Sequence, residues 1–425
     1  IDYLLDGKLS KTPDGLDMNF GGAPAFMWFT PEQLQELAAE TPDPYRRAFL
    51  FLDICDARGE APNRQRGALP EALLAARAVG DVYHRAVALS QVSIRFFDLG
   101  DREIGAALVR EARELLAAEV GDGLDAAVRR GTVAAALARV DAPAALALAE
   151  KPRTIQRDIF LANVASSLAA ENPAVAEQAI DQVRQYRFEY CAGAVYRMAT
   201  VDPERAERIA REFSPPSRQA YLLGLVAHAQ ATANQEHAAG LLEEAYALLE
   251  QSLAEGTADA RDSPGGTAAA LLVMVERVDP AMIDHYLARA LAMRPPRPPR
   301  PTQENLTGSY EGAIAEMALA IAPYDRQTAR ALLEPLAASI QSRKPMLATV
   351  MQQYWTAAAL VDPQWALELI RQLPEPEPDA ANSRRAAPAR YVIEALTHRG
   401  TWRWPWVYLR CLQRRHPDTP ATVGF

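Results

Sequence analysis

Cysteine is scarce. The 425 residues hold three, Cys55, Cys191 and Cys411, far apart and odd in number. With no Cys-x-x-Cys pair and no Cys/His cluster, the pattern argues against a zinc site and against a disulfide framework. So few thiols fit a reducing, cytoplasmic compartment, although one chance disulfide in an exported protein would leave the same count. Histidine is equally sparse: the six (84, 228, 237, 285, 398 and 416) stand at no metal-ligating spacing. No uncharged apolar stretch approaches the roughly 18 residues of a membrane span. The longest, Gly265–Val275, is too short. Gly-rich phosphate loops and the GxSxG nucleophile motif are missing as well. No leader peptide is visible. The chain opens on Ile1 rather than Met, which points to a processed N-terminus or a piece of a longer protein.

What is abundant is alanine. There are 82 Ala and 31 Pro, and only 7% of residues are aromatic. A core of Ala and Leu favours closely packed helices and argues against an all-β protein. The net charge of −9 makes general binding to a phosphate backbone a poor prospect. That charge is uneven. Residues 384–425 hold eight Arg against Glu394 and Asp418, a balance of +6, which leaves −15 on residues 1–383. Basic residues are nearly all Arg, the exceptions being Lys8, Lys11, Lys151 and Lys344.

The strongest signal is internal repetition. An Ala-rich apolar helix ends in a β-branched residue, Asp-Pro follows, and an amphipathic helix begins. The clearest copies are Thr200-Val201-Asp202-Pro203, Arg277-Val278-Asp279-Pro280 and Leu360-Val361-Asp362-Pro363. Looser ones are Arg139-Val140-Asp141-Ala142-Pro143, Glu171-Asn172-Pro173 and Pro323-Tyr324-Asp325. Asp or Asn at the N-cap accepts a hydrogen bond from an orphan amide of the next helix. Pro at the first helical position has no amide to leave unpaired, and it discourages helix in the residue before it. The junction is thus both a stop and a start. Counted from 101, the junctions fall at 141, 172, 202, 279, 325 and 362, with a break near Asn234 dividing the one long interval. Such intervals match one helix-turn-helix unit each.

The two helices of a unit differ. Residues 202–213 are charged, with Glu204–Arg208 and Glu207–Arg211 at the favourable i,i+4 spacing and a stripe of Ala206, Ile209, Ala210 and Phe213. Residues 217–232 are nearly all apolar. The first type is expected at a surface and the second between neighbours. Three segments depart from the repeat: the Gly-containing lead-in 1–30, the Pro/Arg stretch 294–301, and the Pro/Glu/Ala-rich stretch 374–390. The organisation expected is a lead-in over 1–30, a helical repeat region over 31–400, and a basic aromatic cap or tail over 401–425.

The Asp-Pro-x-x-Ala starts, as in Asp202-Pro203-Glu204-Arg205-Ala206, resemble the tetratricopeptide-like and HEAT-like α-solenoid superfamily over roughly residues 31–400. The resemblance implies an all-α, right-handed solenoid of antiparallel helical hairpins. It also implies a concave face that binds a protein or peptide, without catalysis.

Candidate chemistry is thin. Gly265-Gly266 reads as a turn before a helix beginning at Thr267. His84 and His228 read as packed or capping residues, and Cys191 as a buried small residue. Glu243-Glu244 need not share a site, because adjacent helical residues point about 100° apart. Asn305-Leu306-Thr307 is a glycosylation sequon of high chance frequency. The most distinctive cluster is C-terminal: Arg399, Trp402, Arg403, Trp404, Trp406, Arg410, Arg414 and Arg415, with Tyr408 among them. Arg interleaved with aromatics suits an acidic protein surface, nucleic acid or anionic lipid, and equally a solenoid cap. No catalytic, cofactor-binding or metal-binding residue is assigned. The leading expectation is a protein-interaction scaffold. Two alternatives stay open: a helical-toroid enzyme with an acidic cavity, and nucleic-acid binding through the C-terminal Arg/Trp cluster.

Overall fold

A computed structural model describes residues 11–12, 15–16, 31–57, 66–117, 124–149, 154–184, 187–256, 264–295, 309–341 and 348–372. These residues are helical apart from turns and one minimal antiparallel ladder, β1 (Lys11–Thr12) with β2 (Gly15–Leu16). The described helices fall into two compact units that divide between Val201 and Asp202.

The first unit holds α1 (Pro31–Glu40), α2 (Pro44–Ala57), α3 (Leu69–Arg77), α4 (Val82–Asp98), α5 (Arg102–Leu116), α6 (Leu124–Ala138), α7 (Ala142–Ala149), α8 (Thr154–Leu168), α9 (Pro173–Gln182) and α10 (Arg187–Ala199). The second holds α11 (Pro203–Arg211), α12 (Pro216–Gln230), α13 (Gln235–Ala254), α14 (Pro264–Val278), α15 (Ile283–Ala292), α16 (Ser309–Ile321), α17 (Arg326–Gln341), α18 (Ala348–Val361) and α19 (Pro363–Gln372).

Packing alternates in both. In the first unit the even-numbered helices α2, α4, α6, α8 and α10 each pack on the next even-numbered one, and the odd-numbered helices cover the seams between them. In the second, α12, α14, α16 and α18 form the same kind of row, with α13, α15, α17 and α19 laid against it. The even-numbered helices are the core. Residues 131–139, 160–165, 220–227, 264–272 and 353–359 are buried without a break, which covers every face of the helix for at least a turn and a half. A helix apolar all round belongs in an interior.

The junctions explain the alternation. At Asp141, Asn172, Asn234, Asp279, Asp325 and Asp362 the backbone amide closes the last turn of the core helix, at 2.7–2.9 Å from the carbonyl four residues back. The side chain of the same residue then accepts from an amide of the next helix: Asp141 from Ala144, Asn172 from Val175, Asp202 from Arg205, Asn234 from His237, Asp279 from Ala281, Asp325 from Thr328, Asp362 from Gln364 and Trp365. Its carbonyl takes the first intrahelical bond, in six cases from an Ala four residues on: Ala145, Ala176, Ala206, Ala238, Ala329 and Ala366. All six are fully buried. At these six junctions the first turn of the covering helix lies against the end of the core helix, with a buried methyl at the contact. At the Asp101 junction the position is Gly105, where an added Cβ would meet the Phe97 ring at 3.0 Å.

Two sequence expectations need correction. Gly265 and Gly266 are not a turn: α14 already begins at Pro264 and both glycines lie in its first turn, buried. Gly265 is needed for proximity. A Cβ on Gly265 would stand 2.5 Å from the Met293 carbonyl oxygen, so the backbones of α14 and α15 approach where no side chain fits. On α11 the pair Glu207–Arg211 forms at 3.2 Å, but Arg208 turns to Glu212 at 3.7 Å instead of back to Glu204.

Candidate functional site

Core helices also carry a signature at their starts. Asp43-x-Tyr45-x-Arg47 opens α2 and Asp81-x-Tyr83-x-Arg85 opens α4. In each, the Asp caps the helix, and the Arg four residues on folds back to donate to the carbonyls of the incoming loop. Arg47 reaches Thr41 O from both Nε (3.0 Å) and Nη2 (2.8 Å), and Arg85 Nε reaches Val79 O at 2.8 Å. The amides of His84 and then Tyr83 hold the Asp81 carboxyl below its usual range. Burial, then Asp43, pushes the Tyr45 phenol up to about 12.

Arginine ties the helices together laterally. In the first unit Arg139, 5% exposed at its side chain, bridges Asp98 (2.9 Å) and Glu171 (2.7 Å), which ends α4, α6 and α8 on one network. Its guanidinium lies over the Phe97 ring at 5.4 Å, with Arg102 at 5.9 Å from the same ring. In the second unit Glu243 and Glu244 diverge, as adjacent helical residues should. Glu244 takes a bidentate pair from Arg211 of α11 at 3.0 and 2.9 Å, while Glu243 accepts from Arg289 of α15 at 2.7 Å and from Tyr286 at 3.1 Å. Arg289 also pairs bidentately with Glu250 and lies over Tyr246 and Tyr286. Each acid is committed to a cation, so the pair forms no shared acid–base site.

The core helices leave one narrow stripe. Counting six residues back from the capping Asp or Asn gives Arg95, Ala135, Ser166, Tyr196, His228, Val273, Leu319 and Thr356 on α4 through α18. Ala135 and Thr356 are buried, and the other six are half-buried. On α8 Ser166 is the one half-buried position between Phe160 and Ala169, and on α14 Val273 is the one between Pro264 and Val275. On α10, α12 and α16 the next residue, Arg197, Ala229 or Ala320, shares the opening. Because a common cap fixes the register and neighbouring core helices pack together, these positions form one line across the core row of each unit. In the second unit the line is flanked by Arg277, exposed and one turn beyond Val273, and by Glu276, which accepts from the Tyr324 hydroxyl at 2.9 Å. Burial, then the Arg277 charge, pushes His228 down to about 4, so its imidazole is neutral at physiological pH.

All eight residues of the C-terminal Arg/Trp cluster, Arg399 through Arg415, lie outside the described residues, as do Cys411, the sequon at Asn305 and the 374–390 stretch. Of the Pro/Arg stretch only Arg294 and Pro295 are described. Cys55 and Cys191 are buried and form no disulfide with each other. His84 is exposed, beside Asp81 at 3.3 Å and with its ring 4.9 Å from that of Tyr45. Among the described residues no group of three His, Cys, Asp or Glu is placed to hold a metal ion, and no helix is long and apolar enough to cross a membrane. Comparison with protein-family models, with curated proteins and with solved structures finds no match.

Proposed function

We propose that this protein is a binding scaffold: a right-handed solenoid of antiparallel helical hairpins that holds a protein or peptide partner along its concave face. The stripe six residues before each cap is that face. One observation carries the reading. On six of the eight core helices from α4 to α18 the same register opens to solvent, while the residue type there changes freely from Arg to Ser, Tyr, His, Val and Leu. A packing requirement would hold the residue type, as it does at the six junctions with a buried Ala four residues past the cap. A recognition surface varies its chemistry on a constant frame.

Site-specific photocrosslinking tests this. A benzoylphenylalanine at Tyr196, Val273 or Leu319 is expected to capture the same protein from the native lysate. The same probe at Leu74 or Leu253, which are exposed on covering helices at 70% and 41%, is expected to capture none of it. No adduct at the stripe, or equal adducts at all five positions, would overturn the reading.

A further inference from the structure

We propose that the stripe of the second unit takes an extended aliphatic segment of a partner protein carrying one side-chain carboxylate, which pairs with Arg277. This rests on the scaffold reading and adds the chemistry of the bound segment. The stripe here is His228, Ala229, Val273, Leu319 and Ala320, aliphatic except for one imidazole. Arg277 continues the same face, four residues and thus one turn beyond Val273. Like Arg294 and Arg326 it holds no described carboxylate, but of these three it alone stands on a core helix. Arg211, Arg289 and Arg330 each hold carboxylates at 3.4 Å or less, whereas no carboxylate among the described residues comes within ion-pair distance of Arg277. Its neighbour Glu276 is occupied by Tyr324. The imidazole of His228 is held neutral and adds no second charge. One cation beside a neutral, half-apolar line is the complement of one anion within an aliphatic segment.

The width of the stripe selects the conformation. It is one or two residues broad on each helix, too narrow for a helical ligand about 10 Å across. Three core helices spaced about 9–10 Å apart span about 20 Å, the reach of about six extended residues.

Panning a phage-displayed library of random 12-residue peptides on the full chain tests the proposal. Enriched sequences are synthesised with amidated C-termini, so that a side chain supplies the only carboxylate, and binding is read by fluorescence anisotropy. Enriched peptides should carry Asp or Glu among aliphatic residues. Arg277→Gln should weaken them about tenfold, the Glu→Gln peptide should lose as much, and the two changes together should cost no more than either alone. Arg277 is exposed, so the variant leaves the packing intact. Leu319→Asp, with its fold checked by circular dichroism, reports whether the stripe is occupied at all. Peptides sensitive to Leu319→Asp but indifferent to Arg277→Gln would overturn the carboxylate assignment and leave the scaffold standing. Peptides indifferent to both variants, or no enrichment, would remove both.

Discussion

At the residue scale, one amino acid per repeat does two or three things. Asp202 caps α11 through the Arg205 amide at 3.2 Å and passes its carbonyl to Ala206 at 3.1 Å, and at Asp141, Asn172 and Asp362 the residue's own amide also closes the preceding helix. The Arg205 guanidinium, at 2.8 Å, is the largest influence holding the Asp202 carboxyl below the usual range. The methyl four residues on is as constrained as the cap. Ala206→Leu adds three heavy atoms where no space exists, and it should cost about 1–3 kcal/mol by urea denaturation. Ala239→Leu, one residue past the equivalent Ala238 and half-buried, should cost much less. His228 makes a separate prediction for pH. In the unfolded chain its imidazole takes up a proton near 6.5, and in the folded protein only near 4. Between those values the unfolded state binds more protons, so stability falls as pH drops from 6.5 to 4, by on the order of 2–3 kcal/mol, with no contribution above 6.5. His228→Gln should flatten that part of the stability curve. The carboxyls of Asp81, Asp202, Asp325, Glu243 and Glu244 are lowered and act in the same sense, at lower pH: each stabilises above its unfolded value and loses this as pH falls through its folded one. That loss lies below about pH 4.5, a distinct window.

At the element scale, glycine marks where helices touch. Gly265→Ala places a methyl 2.5 Å from the backbone oxygen of Met293, which cannot move like a side-chain tip. A loss of about 1–3 kcal/mol is expected. Gly240, in the exposed middle of α13 with nothing within 4 Å of an added methyl, gives the reverse. Gly240→Ala should stabilise by about 0.5–1 kcal/mol through helix propensity alone. Opposite signs for one chemical change, measured by denaturation midpoint, separate close packing from backbone freedom. The sequence announces the junctions because cap and proline chemistry is local. It does not announce Gly265, since whether a Gly-Gly is a turn or a contact depends on what lies across from it, here Met293. The start signature Asp-x-Tyr-x-Arg goes unnoticed for another reason. It is whole only at Asp43 and Asp81, while the comparable Asp125-x-x-x-Arg129 keeps the Arg without the Tyr, and Arg129 lies over Tyr83 at 5.5 Å instead.

At the scale of the molecule, contacts run to the next helix and the next but one. Damage should therefore stay near its source. Hydrogen exchange on Gly265→Ala should show faster amides in α14 and α15, with the effect fading toward α18 and α19; uniform acceleration across the unit would contradict it. Helical class was legible because alanine content and a repeated stop-and-start signal agree along the whole chain. The stripe was not, because its members share no residue type. Tyr196, Val273 and Leu319 have in common only a distance from a cap and a gap in burial, and the second is a property of the packed molecule. The C-terminal cluster from Arg399 to Arg415 stood out by composition, which registers density of residue types and not where they lie.

Many of the ties between helices are made by arginine, and two of these guanidinia serve two carboxylates each, Arg139 and Arg289. Lysine, with a single compact ammonium, cannot replace them in that geometry. No described helix contains a lysine. To reagents and enzymes that act on primary amines, the helical body of this protein is therefore blank. Acylation, amine-directed labelling and every modification that begins at a lysine can address it only at Lys8, Lys11, Lys151, Lys344 and the amino terminus, none of them on a described helix.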